Sequence, residues 1–352
     1  MRAILTAAAV VAALSVASTP RATPLARIDA SLARFAQQGR FSGVVLVARH
    51  GRPVLQRAHG IANRRTGERN TMSTRFNLAS LGKPLTAVAV AQLVERGKLR
   101  FGDTIGRFVP ELPAAIGKRV TVAELLDHTS GLGDFFASPL YPQRRPTLTS
   151  LRRYLPLIEN EPLASTPGSR FHYSNSGYIL LGLIVERASG EDYYAYLEHH
   201  VLAPAGMTHS GCFAANRLPP RTAVGYAGGQ PNTSGLPPRG TSAGGCYSTA
   251  GDLLAFANAL ESHRLIDARL TGIVTSPKVS LGPVQKYGYG FGIREGRPGQ
   301  SATIWHNGGS PGVGAELDIN PALGYTVVVL ANLDYELIAP AIDSVLSTLG
   351  VP

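Results

Sequence analysis

The decisive stretch of this 352-residue sequence is Phe76-Asn77-Leu78-Ala79-Ser80-Leu81-Gly82-Lys83, where strands give way to a helix. Before it, Phe41–Ala48 and Val54–His59 are rich in valine and leucine, which predicts two strands joined by a turn. After it, we predict a helix near Ser80–Arg96 that ends at Gly97.

Helices fill the middle of the chain, and strands return near its end. Thr121 and Glu124 form a capping box that opens a short helix. Further helices are predicted at Leu148–Ile158, Ser176–Ala188, Tyr193–Val201, Thr249–Leu260 and about Glu336–Leu349, and strands at Tyr287–Arg294, Ala302–His306, Ala315–Ile319 and Tyr325–Leu330.

This order predicts an α+β fold with one antiparallel sheet built from the N- and C-terminal segments and flanked by helices, plus a mainly helical second lobe. We expect the sheet lobe at about 25–80 and 262–352 and the helical lobe at about 81–261, within a single domain over 18–352. A cleft between two lobes is where a site is expected.

Composition and charge exclude several classes of protein. Apolar residues make up 44% and charged residues 16% of the chain, a globular balance that excludes intrinsic disorder. The net charge is +11, but the arginines are scattered, with Arg144-Arg145 and Arg152-Arg153 as the densest spots. We therefore expect no nucleic-acid partner, although a polyanion-binding protein remains an alternative.

The first residues predict export. Met1-Arg2 precedes an apolar run from Ala3 to Leu14 and then small residues, as in a secretory signal peptide over residues 1–17. The alternative is an uncleaved anchor. We expect a periplasmic or secreted protein that has no membrane contact after cleavage.

Cys212 and Cys246 have two interpretations in an exported chain. One disulfide would close a loop of about 33 residues, whereas the alternative is two separate buried thiols. Their spacing does not indicate a metal site, and we expect neither metal nor cofactor.

Ser80 and Lys83 form the first motif of chemical interest. Positions three apart share one helix face, so the Lys83 amine can reach the Ser80 hydroxyl. A serine hydroxyl is a poor nucleophile until a neighbour takes its proton, and a lysine can do so once its pKa is lowered. Pro84 supports a helix start but biases Lys83 away from helical dihedral angles.

Two more motifs follow along the chain. Tyr173 and Asn175 project to one side of an extended segment, giving a candidate general base and an amide that can bond lysine and substrate. His306 and Gly308 share one face of a strand end, where a glycine lets substrate approach, and the Gly309 N–H can join that of Ser80 as an oxyanion hole. Other histidines, such as His128, are interpreted as structural.

These three motifs, in this order, resemble the serine β-lactamase and penicillin-binding protein superfamily. The resemblance is greatest to the branch that holds class C β-lactamases, D-alanyl-D-alanine carboxypeptidases, D-aminopeptidases and esterases. It also rests on three longer stretches: Glu124-Leu125-Leu126-Asp127-His128-Thr129-Ser130-Gly131-Leu132, Gly244-Gly245-Cys246-Tyr247-Ser248-Thr249-Ala250-Gly251-Asp252-Leu253 and Trp305-His306-Asn307-Gly308-Gly309-Ser310-Pro311-Gly312. The resemblance covers Phe41 to Leu349.

The resemblance implies a role for each site residue. Ser80 would be the acylated nucleophile, Lys83 its activating amine and Tyr173 the general base. Asn175 would position lysine and substrate, and Gly309 would complete the oxyanion hole.

Where β-lactamases carry Lys-Thr-Gly, this chain has His306-Asn307-Gly308. A neutral histidine suits a substrate carboxylate less well than a lysine does. The expected function is therefore an exported serine hydrolase that cleaves an ester or amide of a small molecule or peptide, with cell-wall fragments among the candidates.

Three alternatives remain: a β-lactamase, a D-alanyl-D-alanine carboxypeptidase, and a catalytically idle cell-wall module. If His306 must be neutral, activity should rise through about pH 6 to 8. The loops Gly133–Thr147 and Pro219–Ala243 are expected to set the shape of the pocket.

Overall fold

A computed structural model describes residues 22–296 and 302–352. Its main feature is an eight-stranded sheet in which all neighbouring strands are antiparallel, in the order β2-β1-β14-β13-β12-β11-β10-β9. These strands are β1 Gly43–Arg49, β2 Arg52–His59, β9 Val279–Ser280, β10 Gln285–Tyr287, β11 Gly292–Arg294, β12 Thr303–Ser310, β13 Val313–Asn320 and β14 Tyr325–Ala331. The remaining strands form two-stranded pairs: β3 Ile61–Asn63 with β4 Glu68–Arg69, β5 Phe76–Asn77 with β8 Tyr247–Ser248, and β6 Tyr226–Ala227 with β7 Gln230–Pro231.

The α-helices lie on both faces of this sheet and in the middle of the chain. They are α1 Pro24–Gln37, α2 Lys83–Glu95, α3 Ala114–Gly117, α4 Val122–Leu126, α5 Tyr141–Arg144, α6 Asn175–Ser189, α7 Tyr193–Tyr196, α8 Ala203–Ala205, α9 Ala250–Glu261, α10 Ala268–Val274 and α11 Tyr335–Leu349. Within the described ranges, no helix is both long and apolar enough to cross a membrane. The α+β fold with a central antiparallel sheet is confirmed.

Strands at the centre of the sheet bury both faces. Apolar side chains on one face of β1 and β14 pack against α1 and α11, and those on the other face pack into the larger core with α2, α6 and α9. The serines Ser31 and Ser344 join α1 to α11 through hydroxyls 2.8 Å apart. Strands covered on both faces become continuous apolar runs, which explains the Val44–Ala48 sequence.

Strand β12 and the turn that carries Ser80 lie in close contact, and this contact brings two of the motifs together. β11 pairs only with residues 303–305 of β12, so residues 306–310 leave one edge of β12 unpaired. The short 3₁₀ turn Ala79–Gly82 packs against β12 and β13. A Cβ atom on Gly308 would collide with the carbonyl oxygen of Leu78, so glycine is needed there for the turn and strand to touch.

Several predicted elements differ in the structure. The segment Tyr287–Arg294 is not one strand but the hairpin β10–β11, because Gly290 adopts a positive φ of 79° between the two strands. Leu151–Leu157 forms a 3₁₀ helix rather than an α-helix and contains Pro156. Helix α1 was not predicted.

The two cysteines form a disulfide, which resolves the alternatives left open by the sequence. It closes a loop that begins after Cys212 and returns to Cys246 beside the Ala79–Gly82 turn, where the Leu78 N–H donates to the Cys246 carbonyl (2.8 Å). The predicted signal peptide, residues 1–17, lies outside the described residues. The lobe boundaries stay a prediction.

Replacing both cysteines, as Cys212→Ala with Cys246→Ala, should lower the free energy of unfolding by about 3–4 kcal/mol, because a cross-link of this span restricts the unfolded chain. Urea denaturation followed by circular dichroism measures the change. Reductant should destabilise the wild-type protein and leave the double variant unaffected; equal stability of the two proteins would contradict the prediction.

Candidate active site

Ser80 lies on a strained turn that presents its hydroxyl at the mouth of a cleft. Ala79, directly before it, has a φ of 41°, which is unfavourable for a residue other than glycine. The turn is held in place because the Ala79 N–H donates to Asn77 Oδ1 (2.8 Å) and the Gly245 N–H donates to the Ala79 carbonyl (3.0 Å). Strain that neighbouring bonds maintain is typical of functional positions.

Lys83 begins helix α2 directly after this turn. Its φ of −62° and ψ of −40° are helical, so the bias expected from Pro84 is overcome. Its side-chain amine donates to Ser80 Oγ (3.0 Å), Asn175 Oδ1 (2.7 Å) and the Ala243 carbonyl (2.7 Å). All three protons of the ammonium have an acceptor.

The Lys83 amine is cut off from solvent. The residue is 0% exposed, and this burial lowers its pKa to about 7, although the negative charge of Asp134 acts in the opposite direction. Near neutral pH a substantial fraction of the amine is therefore uncharged and can accept the Ser80 proton.

Tyr173 lies beside the same two groups. Its ring centroid is 4.7 Å from Lys83 Nζ, and 36% of the residue surface is exposed. Crowding of the phenol by protein raises its pKa above the ordinary value, with hydrogen bonding to Ser80 partly offsetting this effect. Tyr173 is therefore a neutral phenol near pH 7.

Asn175 is the first residue of α6, not part of an extended segment, and Ser174 caps the helix by accepting from the Gly177 N–H (3.0 Å). The Asn175 amide still lies where the motif predicts. Its Oδ1 accepts from Lys83, and its Nδ2 donates to Asp134 Oδ2 (2.7 Å).

His128 is buried next to Tyr173, in agreement with its interpretation as a structural residue. Its ring stacks on Tyr173 with centroids 4.3 Å apart, and its Nδ1 accepts from the Ser174 N–H (3.1 Å). Burial holds the pKa of His128 well below its usual range, so the ring is neutral.

The structure corrects the expectation for His306. The side chain is buried, and its Nε2 lies 2.9 Å from the Tyr287 hydroxyl while its Nδ1 lies 2.6 Å from the Asn307 carbonyl. Burial, with a contribution from the charge of Lys83, lowers the pKa of His306 to about 3. His306 therefore does not titrate between pH 6 and 8, and Lys83 is the group that does.

Gly308 and Gly309 have different surroundings in the structure. Gly308 faces the Ala79–Gly82 turn, where a Cβ atom would meet Leu78, so the predicted substrate approach at Gly308 is wrong. Gly309 lines the cleft beside Ser80. Its position on the unpaired edge of β12 makes it the residue of this motif that can reach a substrate.

A cavity of about 430 Å³ opens next to Ser80. Large apolar side chains form much of its wall: Phe135, Phe136, Tyr154, Phe213, Leu236 and Pro311. Its polar side chains are neutral, and among the described residues that line it none is charged. The two loops expected to shape the pocket supply residues of this wall.

Residues 27–347 of the chain match the protein family described as Beta-lactamase. The chain belongs to the beta-lactamase family. The members of this family are serine hydrolases that share one fold. The family predicted from the three motifs is confirmed.

Two curated relatives of this beta-lactamase family member cover most of it. The putative penicillin-binding protein PbpX of Bacillus subtilis (strain 168) is 31% identical over 262 residues, which are 73% of this chain and 63% of PbpX. Esterase EstB of Burkholderia gladioli is 31% identical over 370 residues, covering 91% of this chain and 93% of EstB. The chain thus spans less than two thirds of the length of PbpX.

Solved structures agree with this assignment. A penicillin-binding protein from Bacillus halodurans has a TM-score of 0.81 at 35% identity and covers 89% of this family member and 98% of that chain. A class C beta-lactamase has a TM-score of 0.77 at 22% identity, covering 91% and 95%, a likeness that shows the fold alone.

The buried amine of this family member should titrate near neutrality. In protein labelled with ¹³C at lysine Cε, the Lys83 resonance should shift with a midpoint at about pH 7, because burial disfavours the ammonium form. The chain has only five lysines, and Lys98, Lys118 and Lys278 are exposed, so their resonances serve as internal references. A Lys83 midpoint above pH 9 would contradict the prediction.

Proposed function

We propose that this protein is a serine hydrolase that cleaves neutral esters through an acyl-enzyme on Ser80. The observation that carries the proposal is the Lys83 amine, buried, bonded to Ser80 Oγ at 3.0 Å and close to half-neutral at pH 7. A nucleophile with a base in hydrogen-bond contact is the minimum requirement for acyl transfer.

Acylation begins when Lys83 accepts the proton of Ser80. The Ser80 oxygen forms a bond to the ester carbonyl carbon, and the electron pair of the carbonyl moves to its oxygen. The N–H groups of Ser80 and Gly309 hold that oxyanion. When the carbonyl re-forms, the bond to the alkoxide leaving group breaks, and the leaving group takes a proton from the Tyr173 hydroxyl, which recovers one from Lys83.

Deacylation reverses the proton path with water as the nucleophile. Because Tyr173 is a neutral phenol near pH 7, it does not act as a stored anion. Instead it passes a proton from water to the neutral Lys83 amine, while water attacks the acyl carbonyl. Collapse of the intermediate returns the proton to Ser80 and releases the carboxylic acid. Stacking of His128 on Tyr173 keeps the phenol in place for both steps.

The cavity favours a neutral, apolar substrate. A substrate carboxylate in this cavity would find no cation among the described lining residues, and His306 is neutral. Burying an unpaired carboxylate costs several kcal/mol. This argues for esterase action over hydrolysis of β-lactams or D-alanyl-D-alanine peptides, and the similarity to esterase EstB supports it.

We further propose that the protein acts outside the cytoplasm. The signal-like residues 1–17 and the disulfide between Cys212 and Cys246 support this, because disulfides persist in oxidising compartments. A catalytically idle, penicillin-binding role is the competing proposal, supported by the names of PbpX and the Bacillus halodurans protein.

Ser80→Ala should abolish hydrolysis of p-nitrophenyl butyrate, lowering the rate by at least about 1,000-fold, because the nucleophile is lost. Ser73→Ala, at an exposed serine of the same region, should leave the rate unchanged. Intact-mass spectrometry after a fluorophosphonate probe should show one adduct on the wild-type protein and none on Ser80→Ala. Retained turnover in Ser80→Ala, or no adduct on the wild type, would reject the proposal.

The neutral cavity predicts discrimination against charged substrates. The kcat/KM for p-nitrophenyl valerate should exceed that for mono-p-nitrophenyl glutarate, which differs by a terminal carboxylate, by at least about 10-fold. A chromogenic cephalosporin, also a carboxylate, should be a poor substrate. Equal kcat/KM values for the two esters would show that the cavity does not select by charge.

A further inference from the structure

Asp134 contacts the catalytic centre through one amide. Its Oδ2 accepts from Asn175 Nδ2 at 2.7 Å and from the Asn175 backbone N–H at 3.3 Å. On the other side of the same amide, Oδ1 accepts from Lys83 Nζ at 2.7 Å. A carboxylate, an amide and an amine thus lie in one hydrogen-bonded line that ends at Ser80 Oγ.

A carboxylate at this position decides which way the amide points. An ionised carboxylate can only accept hydrogen bonds, so the group that faces it must be the NH₂ of Asn175. The amide oxygen is then obliged to face Lys83. In the flipped orientation the NH₂ group would point at the lysine, donor against donor, and two oxygens would face each other at Asp134.

Asp134 is also the source of negative charge near the amine. The other groups that face Lys83 are the Ser80 hydroxyl, the Ala243 carbonyl and the rings of Tyr173 and Tyr178. His128 and His306 lie close enough to feel its charge, and both are neutral. The charge of Asp134 therefore partly offsets the effect of burial on the Lys83 pKa.

We propose that Asp134 is a positioning residue of the hydrolase, which locks the Asn175 amide toward Lys83 and so keeps the amine aimed at Ser80. This inference rests on the proposed function for its catalytic meaning. The geometry assigns Asp134 no contact with Ser80, and its action runs through Asn175 and Lys83.

Asp134 has a second, structural contact that any test must hold constant. Its Oδ1 accepts from the Phe136 N–H (3.1 Å) and so caps the turn Phe135–Ala137, which carries two side chains of the cavity wall. Asparagine is as good a cap as aspartate. Asp134→Asn therefore preserves the cap while it removes the charge and the obligatory acceptor.

Glu161 supplies a matched control. Burial raises the Glu161 pKa, and the nearby charge of Asp134 adds to this effect, but the Asn175 amide donates to Asp134 and not to Glu161. Glu161→Gln removes one negative charge from the same neighbourhood and leaves the hydrogen-bonded line intact.

The test follows two signals in wild type, Asp134→Asn and Glu161→Gln. In Asp134→Asn, fluorophosphonate labelling of Ser80 at pH 9, where the amine is neutral in all three proteins, should slow by about 10- to 100-fold, because the amide no longer holds the amine. The midpoint of the Lys83 ¹³Cε titration should move to lower pH, because the stabilising negative charge is gone. Glu161→Gln should change labelling by less than about 2-fold.

The two signals separate the possible failures. Wild-type labelling rate and an unmoved Lys83 midpoint in Asp134→Asn would show that Asp134 only caps its turn, which overturns the inference. Equal effects of Asp134→Asn and Glu161→Gln would show that any nearby negative charge has this effect, which also overturns the inference. If wild-type protein is not labelled at all, the hydrolase proposal fails, and the Lys83 titration still decides whether Asp134 acts on the amine.

Discussion

The reactivity of this site depends on keeping water away from one amine. Lys83 is fully buried, and its charged form is stabilised by three neutral acceptors, by the faces of two tyrosine rings and by the charge of Asp134, which only partly offset the effect of burial. Each acceptor comes from a different part of the chain: the Ser80 turn, helix α6 and the loop before Cys246. The dry environment of the amine is therefore a property of the whole fold, because no single element encloses it.

Two glycines next to the Ser80 turn allow backbone segments to pack more closely than any side chain would permit. Gly308 lets β12 meet the Ala79–Gly82 turn, and Gly244 lets the loop backbone lie against Ala79. These contacts enforce the unfavourable dihedral angles of Ala79 and so fix Ser80 next to Lys83. Strain at one residue is tolerated because packing on both sides leaves it no alternative.

The sequence alone was enough to predict the features that depend on residues close together in the chain. The Ser80–Lys83 pair, the α+β order and the capping box at Thr121 follow from periodicity and short motifs, and the structure agrees. Burial and long-range partners could not be predicted in this way. The buried His306 ring contacts the Tyr287 hydroxyl, and Asp134 accepts from Asn175, which lies 41 residues later in the sequence. Neither contact produces a pattern that can be recognised in one sequence. The prediction of one strand at Tyr287–Arg294 was wrong, because the segment has the period of a strand but turns at Gly290, which has a positive φ.

The carbonyl of Ala243 belongs to the same disulfide-closed loop that contributes Phe213 and Leu236 to the cavity. One segment therefore both lines the cavity and supplies an acceptor to the Lys83 amine. Exchanging a side chain in this loop can reshape what fits, whereas shifting its backbone also withdraws an acceptor from the amine.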